Sequence, residues 1–496
     1  MKNQVQSDKE RQQDASFFGQ PWGLSTLFFT EMWERFSYYG MRAILLFYMY
    51  FSITRGGLGF NKITAMSIMS IYGSLVYLSG VVGGFLSDRV WGARKTVFYG
   101  GVLIMFGHIA LSVPFGKWAL FVSIVLIVAG TGLLKPNVSD MVGGLYSEKD
   151  DRRDAGFTIF VFGINLGSFI SPILVSWLGL SYNFHLGFSL AAIGMFFGLL
   201  QYVLGGKKHL PSTSLYPSDP IEPADIKKLS LRVGAGIIVF ILVLLLMKVM
   251  GALNILNFIN LLTLIVLVTP VVYFIVIISS EKITKKDRSR VIAYIPLFIA
   301  AAIFWGIEEQ GSVVLALFAE TQTDNHIFGL TIQAGMYQSL NPLFIMLYTV
   351  PFAWLWTRLG KRQPSSPTKF STGMVVAGLS YLFMVIPVSL FGPNAQVSPL
   401  WLVGSWAIIE IAEMLISPIG LSVTTKLAPH AFQSQMMSLW FLTDAAGQAV
   451  NAQIVKFYTP ANEIRYFAIV GAASIVAGII LAFLIKPLKR LMEGVN

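Results

Sequence analysis

The 496-residue chain contains no cysteine, five histidines and only 12% charged residues. Without cysteine, disulfide bridges, thiolate nucleophiles and iron–sulfur ligation are excluded. The sequence also lacks H-E-x-x-H, a G-x-S-x-G segment with a histidine partner, and the G-x-x-x-x-G-K-[ST] phosphate loop. We therefore predict no enzymatic activity, no metal site, no cofactor and no nucleotide as the source of energy.

Long apolar segments dominate the sequence. Hydrophobic residues make up 55% of the chain, and the mean hydropathy is +0.67. Apolar runs near or above about 18 residues recur along the whole length, as is typical of membrane-spanning helices. The stretch up to Pro21 is polar and has no apolar region or cleavage site of a signal peptide, so we expect the first apolar helix to remain as a span.

The apolar pattern predicts an all-α polytopic membrane protein with fourteen spans. Their approximate bounds are residues 23–52, 63–86, 96–114, 118–142, 155–179, 186–204, 231–250, 256–278, 291–319, 336–357, 370–391, 399–425, 434–456 and 465–485. The polar, proline-rich stretch 205–230 follows the first six spans, and a helix pair separates it from the last six.

The net charge of +11 and the pI near 9.5 could indicate a nucleic-acid partner. However, most lysines and arginines lie in loops on one side of the predicted spans, with dense clusters in 282–290 and 358–369. Basic loops mark the cytoplasmic side, so we predict cytoplasmic termini, a lipid-bilayer partner and no nucleic acid. The predicted order is a cytoplasmic tail (1–22), a six-helix bundle (23–204), a cytoplasmic linker (205–230), an inserted helix pair (231–278), a cytoplasmic loop (279–290), a second six-helix bundle (291–485) and a cytoplasmic tail (486–496).

A weak internal repeat suggests two related halves. The stretch 84–94 and the stretch 357–362 are both basic turns containing glycine, and each follows the second helix of its half. Related halves are common in transporters. The alternative is that these are two ordinary basic loops.

Ionisable residues within the spans indicate function because they are costly in a bilayer. In the first span, Glu31, Glu34, Arg35 and Arg42 recur at helical spacing near one face. Lys135 in the fourth span adds another cation. The intramembrane charges of the second half are all carboxylates: Glu308, Glu309, Glu410, Glu413 and Asp444.

This asymmetry predicts a site between the halves with a positive wall and a negative wall. Such a site suits a zwitterion, and an extended dipeptide or tripeptide spans at most about 7 or 10 Å. The alternative is that the charges only pair with each other and hold helices together. We expect His108, in the middle of the third span, to be a hydrogen-bonded packing residue, with a role in proton transfer as the alternative.

Four stretches carry a family resemblance. Residues 31–40 (EMWERFSYYG) resemble the ExxERFxYYG motif of the proton-dependent oligopeptide transporter family, and residues 156–168 (GFTIFVFGINLGS) resemble its second signature. The stretches 134–137 and 305–310 also match, and the loop 84–94 resembles the signature of the wider major facilitator superfamily. The resemblance implies a major facilitator fold of two six-helix bundles, with an extra helix pair between them as in bacterial members.

The resemblance implies an importer of di- and tripeptides by symport with protons, working as a monomer through alternating access in the bacterial plasma membrane. The implied proton-coupling residues are Glu31, Glu34, Arg35, Lys135 (their salt-bridge partner) and Glu309, and the implied extracellular gate is the Arg42–Glu309 ion pair. The implied peptide site comprises Arg35, Tyr39, Tyr77 and Lys135 towards the carboxylate, Asn165, Asn341 and Glu413 towards the amino terminus, Trp305, Ser417 and Trp440 lining the pocket, and the gate residues Arg42 and Glu309.

Two rival functions remain at this stage. A channel would more often show repeated pore helices or rings of one charge. Related transporters carry nitrate, nucleosides or drugs, although the positions of Asn165 and Glu413 favour a substrate with a free amino terminus.

Overall fold

A computed structural model describes residues 15–147, 150–327, 329–393 and 395–495. The α-helices within these residues are α1 (Trp22–Tyr50), α2 (Lys62–Leu86), α3 (Ala93–Ser112), α4 (Lys117–Gly143), α5 (Arg153–Ser181), α6 (Phe184–His209), α7 (Pro223–Val249), α8 (Ile255–Ser279), α9 (Lys285–Glu308), α10 (Val314–Thr321), α11 (Leu340–Leu359), α12 (Ser366–Phe391), α13 (Leu400–Leu427), α14 (Gln433–Ile454) and α15 (Glu463–Leu491). Two short antiparallel pairs join β1 (Ala15–Phe17) to β2 (Gln20–Pro21) and β3 (His326–Ile327) to β4 (Leu330–Thr331).

Twelve helical segments in the described residues are long and apolar enough to cross a membrane, α9 and α10 forming one of them. Two further helices, α1 and α14, are also long enough, with 29 and 22 residues. They miss the apolar criterion because α1 carries four charged residues and α14 is rich in polar side chains. The prediction of an all-α protein with fourteen spans is confirmed, and both α1 and α14 contribute residues to the cavity between the bundles.

The helices form two bundles. In the first, α1 packs on α5 and α6, while α3 packs on α4 and α6. In the second, α12 packs on α13 and α15, and α9 packs on α14. Glycines allow neighbouring helix backbones to approach closely. For example, a Cβ added at Gly83 of α2 would lie 1.8 Å from the carbonyl oxygen of Gly132 in α4. Small residues serve this purpose in membrane bundles because lipid provides no hydrophobic driving force between helices.

The helix pair packs asymmetrically. Helix α8 contacts both α14 and α2, and Gln453 of α14 donates a hydrogen bond to Thr263 Oγ1 at 2.8 Å. In contrast, all the described side chains of α7 are at least partly exposed. The pair therefore borders the junction of the two bundles through α8.

Several segments predicted as loops are helical at their ends. Helix α6 continues to His209 and α7 begins at Pro223, which shortens the predicted linker 205–230 from both sides. Helix α9 begins at Lys285, within the predicted loop 279–290, and α15 continues to Leu491, within the predicted tail 486–496. Hydropathy misses these turns because polar residues at a helix end are compatible with helical backbone, as the Thr284–Asp287 capping box of α9 shows.

The predicted N-terminal tail falls largely outside the described residues, because residues 1–14 are not described. The same holds for Asn496 at the other end. The ninth predicted span, 291–319, is one span in two helices, with a 3₁₀ turn at Glu309–Ser312 between α9 and α10.

We call the membrane side that carries loops 282–290 and 358–369 the basic face, and the other side the opposite face. The bundles are joined towards the opposite face. Ser339 Oγ donates to the Phe169 carbonyl at 2.7 Å, and the Tyr50 hydroxyl donates to Glu320 Oε2 at 2.9 Å. Deeper in the membrane, Ser74 Oγ of α2 donates to the carbonyl of Ala445 in α14 at 2.8 Å.

Candidate functional site

A cavity of about 660 Å³ lies between the two bundles. It extends from Glu309 towards Trp356, which lies near the end of α11 on the basic face. The lining residues used below are Tyr39, Arg42, Tyr77, Lys135, Asn165, Trp305, Glu308, Glu309, Asn341, Glu413, Ser417, Trp440 and Asp444. The cavity therefore places groups from both halves of the chain around one space.

The wall formed by the N-terminal bundle contributes the cations. Lys135 Nζ lies 4.0 Å from the ring centroid of Tyr77, a cation–π contact between neighbouring helices. Arg42 lies about 30 Å along α1 from Trp22 at 1.5 Å per residue, which places it towards the opposite face. The two cations therefore stand at different depths of the same wall.

The wall formed by the C-terminal bundle contains the carboxylate cluster, which we define as Glu308, Glu410 and Glu413. One oxygen of each lies within 4.8 Å of the others. Asn341 Nδ2 donates to Glu308 Oε1 at 2.7 Å and to Glu410 Oε1 at 2.8 Å. Carboxylates this close repel one another unless a proton or a cation is shared between them. The cluster could hold a small cation, or it could accept the ammonium group of a substrate.

Arg42 and Glu309 form an ion pair that joins the two bundles. Arg42 also donates to Ser312 Oγ at 2.8 Å. The 3₁₀ turn between α9 and α10 presents both partners to Arg42, because it shifts the helical register at Glu309. Arg42 and Glu309 are 3% and 8% exposed, so separating them would leave two buried charges without partners.

The N-terminal charge cluster consists of Glu31, Glu34 and Arg35. All three are buried, and Arg35 Nε is paired with Glu34 and lies 3.3 Å from Glu31 Oε1. The resemblance implies that Lys135 pairs with this cluster. Within the described residues that ion pair is not formed: Arg35, on the same helix, pairs with one oxygen of each carboxylate, while Lys135 stands over Tyr77. The other oxygens, Glu31 Oε2 and Glu34 Oε1, are buried and have no hydrogen-bond partner among these residues.

The structure brings together most of the residues of the implied peptide site. Eleven of the twelve line the cavity: Tyr39, Arg42, Tyr77, Lys135, Asn165, Trp305, Glu309, Asn341, Glu413, Ser417 and Trp440. Arg35 is the exception. Arg35 is paired with Glu31 and Glu34, is only 2% exposed and lies beside the ring of Tyr39. The side chain that lines the cavity at this position is that of Tyr39.

Sequence reasoning left three residues out of the site. Glu308 and Asp444 were recognised as intramembrane charges but not assigned to the pocket, which both of them line. Gln448 was missed, although it lies one helical turn after Asp444 and donates to its Oδ1 at 2.7 Å. A polar residue four positions from an intramembrane acid was the available signal. His108 is fully buried in α3 away from this cavity, in agreement with a packing position. The expected hydrogen bond is not formed, because neither ring nitrogen has a partner among the described residues.

Comparisons with known proteins agree on one family. A model described as the POT family matches residues 94–473. A di-/tripeptide transporter of Lactococcus lactis subsp. lactis (strain IL1403) is 50% identical over 490 residues, covering 97% of this chain and 99% of the relative. The crystal structure of the peptide transporter POT in complex with sulfate has a TM-score of 0.94 at 52% identity and covers 98% of this chain and 99% of its own. A mutant of peptide transporter POT in complex with alafosfalin has a TM-score of 0.93 at 52% identity, with 99% of each chain covered. The chain therefore belongs to the POT family and has its two-bundle major facilitator fold.

Proposed function

We propose that this protein imports di- and tripeptides by symport with protons, through alternating access, in a bacterial plasma membrane. The observation that carries the proposal is the cavity itself, which has cations on one wall and carboxylates on the other. A short peptide is a zwitterion whose two charged ends are separated by several ångströms. The name of the Lactococcus relative, a di-/tripeptide transporter, supports the same substrate class.

The proposed orientation of the peptide follows from the charges of the walls. Lys135, with Tyr39, Tyr77 and Arg42 nearby, would take the carboxylate. The amino terminus would lie at Glu413 and Asn341, with Asn165 on the facing helix. Trp305, Ser417 and Trp440 would bound the side chains. We assign Arg35 to proton coupling and not to direct contact with the peptide, because it is buried behind the lining.

We propose that the basic face is cytoplasmic, since loops rich in lysine and arginine stay on that side. Both termini, the linker after α6 and the loop before α9 would then be cytoplasmic. With this orientation, the described conformation would be joined towards the outside, and its cavity would extend towards the cytoplasm. Rocking of one bundle against the other would exchange this state for one open to the outside.

Proton coupling would act through the buried acids. Protonation of Glu309 removes the negative charge that holds Arg42, so the outer gate can separate without leaving a bare carboxylate. Glu31 and Glu34 hold Arg35 in the same way, and a proton on either would loosen that cluster and change the charge felt by Lys135. The proton-coupling residues would thereby connect proton uptake to the separation of the bundles; they are Glu31, Glu34, Arg35, Lys135 and Glu309.

The decisive experiment is uptake of labelled dialanine into proteoliposomes containing the purified protein. We expect accumulation with an inward proton gradient, only equilibration without it, and neither in liposomes without protein. Competition by nitrate, nucleosides or drugs tests the related substrates, and uptake that fails to saturate would indicate a channel. Absence of gradient-driven dialanine uptake would contradict the proposal.

A further inference from the structure

Helices α2 and α14 meet along a seam between the two bundles. Ser67 Oγ of α2 donates to the carbonyl of Ala452 at 3.1 Å, and Ser74 Oγ donates to the carbonyl of Ala445 at 2.8 Å. On each helix the two contacts are about two turns apart, so the same faces of α2 and α14 meet along this length. All four residues are buried. The seam therefore forms only when the bundles lie together.

The side chain of Gln448 enters this seam between its two serine contacts. Gln448 is 1% exposed, and a Cβ added at Gly73 of α2 would lie 1.6 Å from its Oε1. The three atoms nearest to that Cβ all belong to the amide group of Gln448. On the same helix, a Cβ at Gly80 would meet nothing within 4 Å. Gly73 therefore forms a notch for the amide, and a larger residue there would displace the amide or hold α2 away from α14.

The amide of Gln448 joins Asp444 to Arg42. Its Nε2 donates to Asp444 Oδ1 at 2.7 Å, and its Oε1 accepts from Arg42 Nη2 at 3.5 Å. This orientation is dictated chemically, because a carboxylate only accepts hydrogen bonds and a guanidinium only donates them. The contact with Arg42 is long for a hydrogen bond, so its effect is on the direction of the guanidinium.

The same Nη2 of Arg42 is paired with Glu309 and donates to Ser312 Oγ at 2.8 Å. Glu309 and Ser312 belong to the 3₁₀ turn after α9, whereas Gln448 belongs to α14. Arg42 thus reaches the C-terminal bundle at two elements. The contact on α14 is uncharged, and the contact at the turn carries the opposite charge.

We propose that Gln448 is a positioning residue of the outer gate. Asp444 holds its amide on one side and the notch at Gly73 holds it on the other, so that its oxygen directs the guanidinium of Arg42 towards Glu309. Because the notch exists only when α2 lies against α14, closure of the seam and formation of the ion pair are coupled. This inference rests on the alternating access of the proposed function and requires no particular substrate.

Distances between spin labels measure the gate. Because the chain has no cysteine, Ser52→Cys and Asp324→Cys supply the only thiols, one on each bundle beyond Arg42 and Glu309. The closed gate should give a short distance, and Glu309→Gln should shift the population towards a long one. This comparison tests the gate itself before Gln448 is altered.

The first test moves the carboxylate to α14. In the Glu309→Gln protein, Gln448→Glu places an acid where the amide oxygen faces Arg42, and Asp444→Asn supplies an amide donor to that acid. We expect this exchange to restore the short distance, raising the ratio of short to long distances about fivefold or more, the lower end of coupling between sites. If thermal unfolding in detergent shows that the exchange is not folded, Gln448→Glu alone in the same protein is measured.

The control for this rescue is Gln453→Glu in the Glu309→Gln protein. Gln453 lies on the same helix, but its Nε2 donates to Thr263 Oγ1 of α8 at 2.8 Å. An acid at this position does not face Arg42, so the long distance should persist. A residue that only packs the seam would not restore the gate by carrying a charge.

The second test fills the notch. Gly73→Ala should reduce the short-distance population because the new Cβ displaces the amide, whereas Gly80→Ala should leave the distances unchanged. In the Gln448→Ala protein the amide is absent, so adding Gly73→Ala should have no further effect. This loss of additivity would identify the amide as the group that the notch accommodates.

The outcomes separate this inference from the proposed function. If Glu309→Gln does not lengthen the distance, both the gate and the inference are wrong. If it does, but the exchange restores nothing or Gln453→Glu restores as much, Gln448 does not position Arg42 and only the inference is overturned. It is also overturned if Gly73→Ala acts like Gly80→Ala, or acts equally without the amide. Absence of dialanine uptake with these distance changes intact would overturn the proposed substrate and leave the inference standing.

Discussion

In the N-terminal bundle, the buried acids of the charge cluster Glu31–Glu34–Arg35 lie on the same helix as their cation. The carboxylate cluster of the C-terminal bundle shares only the amide of Asn341. The first cluster contains a cation that offsets one of its two acids, whereas the second lacks a balancing charge among the described residues that contact it. The difference indicates that the carboxylate cluster depends more on an ammonium group or a proton from outside the protein than the N-terminal charge cluster does.

We expect the largest effect when one acid of the N-terminal charge cluster is neutralised. Glu34→Gln leaves Arg35 with half of its partners, and removing one partner of a buried pair costs about 3–5 kcal/mol. We expect gradient-driven accumulation of labelled dialanine to be lost, while exchange of labelled for unlabelled dialanine is partly retained. Glu31→Gln should behave similarly.

The control is Glu281→Gln, an exposed acid in the loop before α9, which should leave accumulation unchanged. Thermal unfolding in detergent checks that Glu34→Gln is folded. Full accumulation by folded Glu34→Gln would remove this cluster from the coupling role.

The next prediction concerns the ion pair that joins the two walls. Arg42→Ala and Glu309→Gln should each favour the outward-open state and reduce uptake, because each removes a buried link between the bundles. The effect should be smaller than for Glu34→Gln, since Ser312 still bridges towards Arg42 in Glu309→Gln. Exchanging the charges, Arg42→Glu with Glu309→Arg, should restore closure but not proton coupling.

Distances between spin labels at positions 52 and 324 measure this closure. The informative control is Arg55→Ala, because Arg55 is largely exposed and lies 3.8 Å from Glu320 at the periphery. An exposed pair contributes about 0–1 kcal/mol, so its loss should hardly move the distances. Unchanged distances in both Arg42→Ala and Glu309→Gln would refute the gate.

The smallest effect is expected at the carboxylate cluster. Glu413→Ala should weaken binding of unmodified dialanine, because the substrate ammonium loses a charge-assisted hydrogen bond that contributes about 1.5–3 kcal/mol. N-acetyl-dialanine, which has no ammonium, should lose much less. Competition binding with the two ligands measures the difference. Equal losses would mean that Glu413 only supports its helix.

Much of the site was predictable from residue chemistry and helical spacing. The opposite charge bias of the halves and the grouping of Glu31, Glu34 and Arg35 both follow from the order of residues along spans, because lipid makes each intramembrane charge informative. The pairing of these charges was not predictable. Lys135 stands over Tyr77, and Arg35 is buried outside the cavity, because helices distant in sequence decide which partner is nearest.

The sequence by itself determined the number of spans, the two groups of six helices and the charge carried by each half, because hydropathy and charge placement are local properties of a segment in a bilayer. Tertiary structure alone decided the break at Glu309–Ser312, the meeting of Arg42 with Glu309, and the position of Gln448 between Arg42 and Asp444. These features depend on the mutual placement of two bundles, which a moving transporter changes during its cycle and which spacing along one helix does not encode.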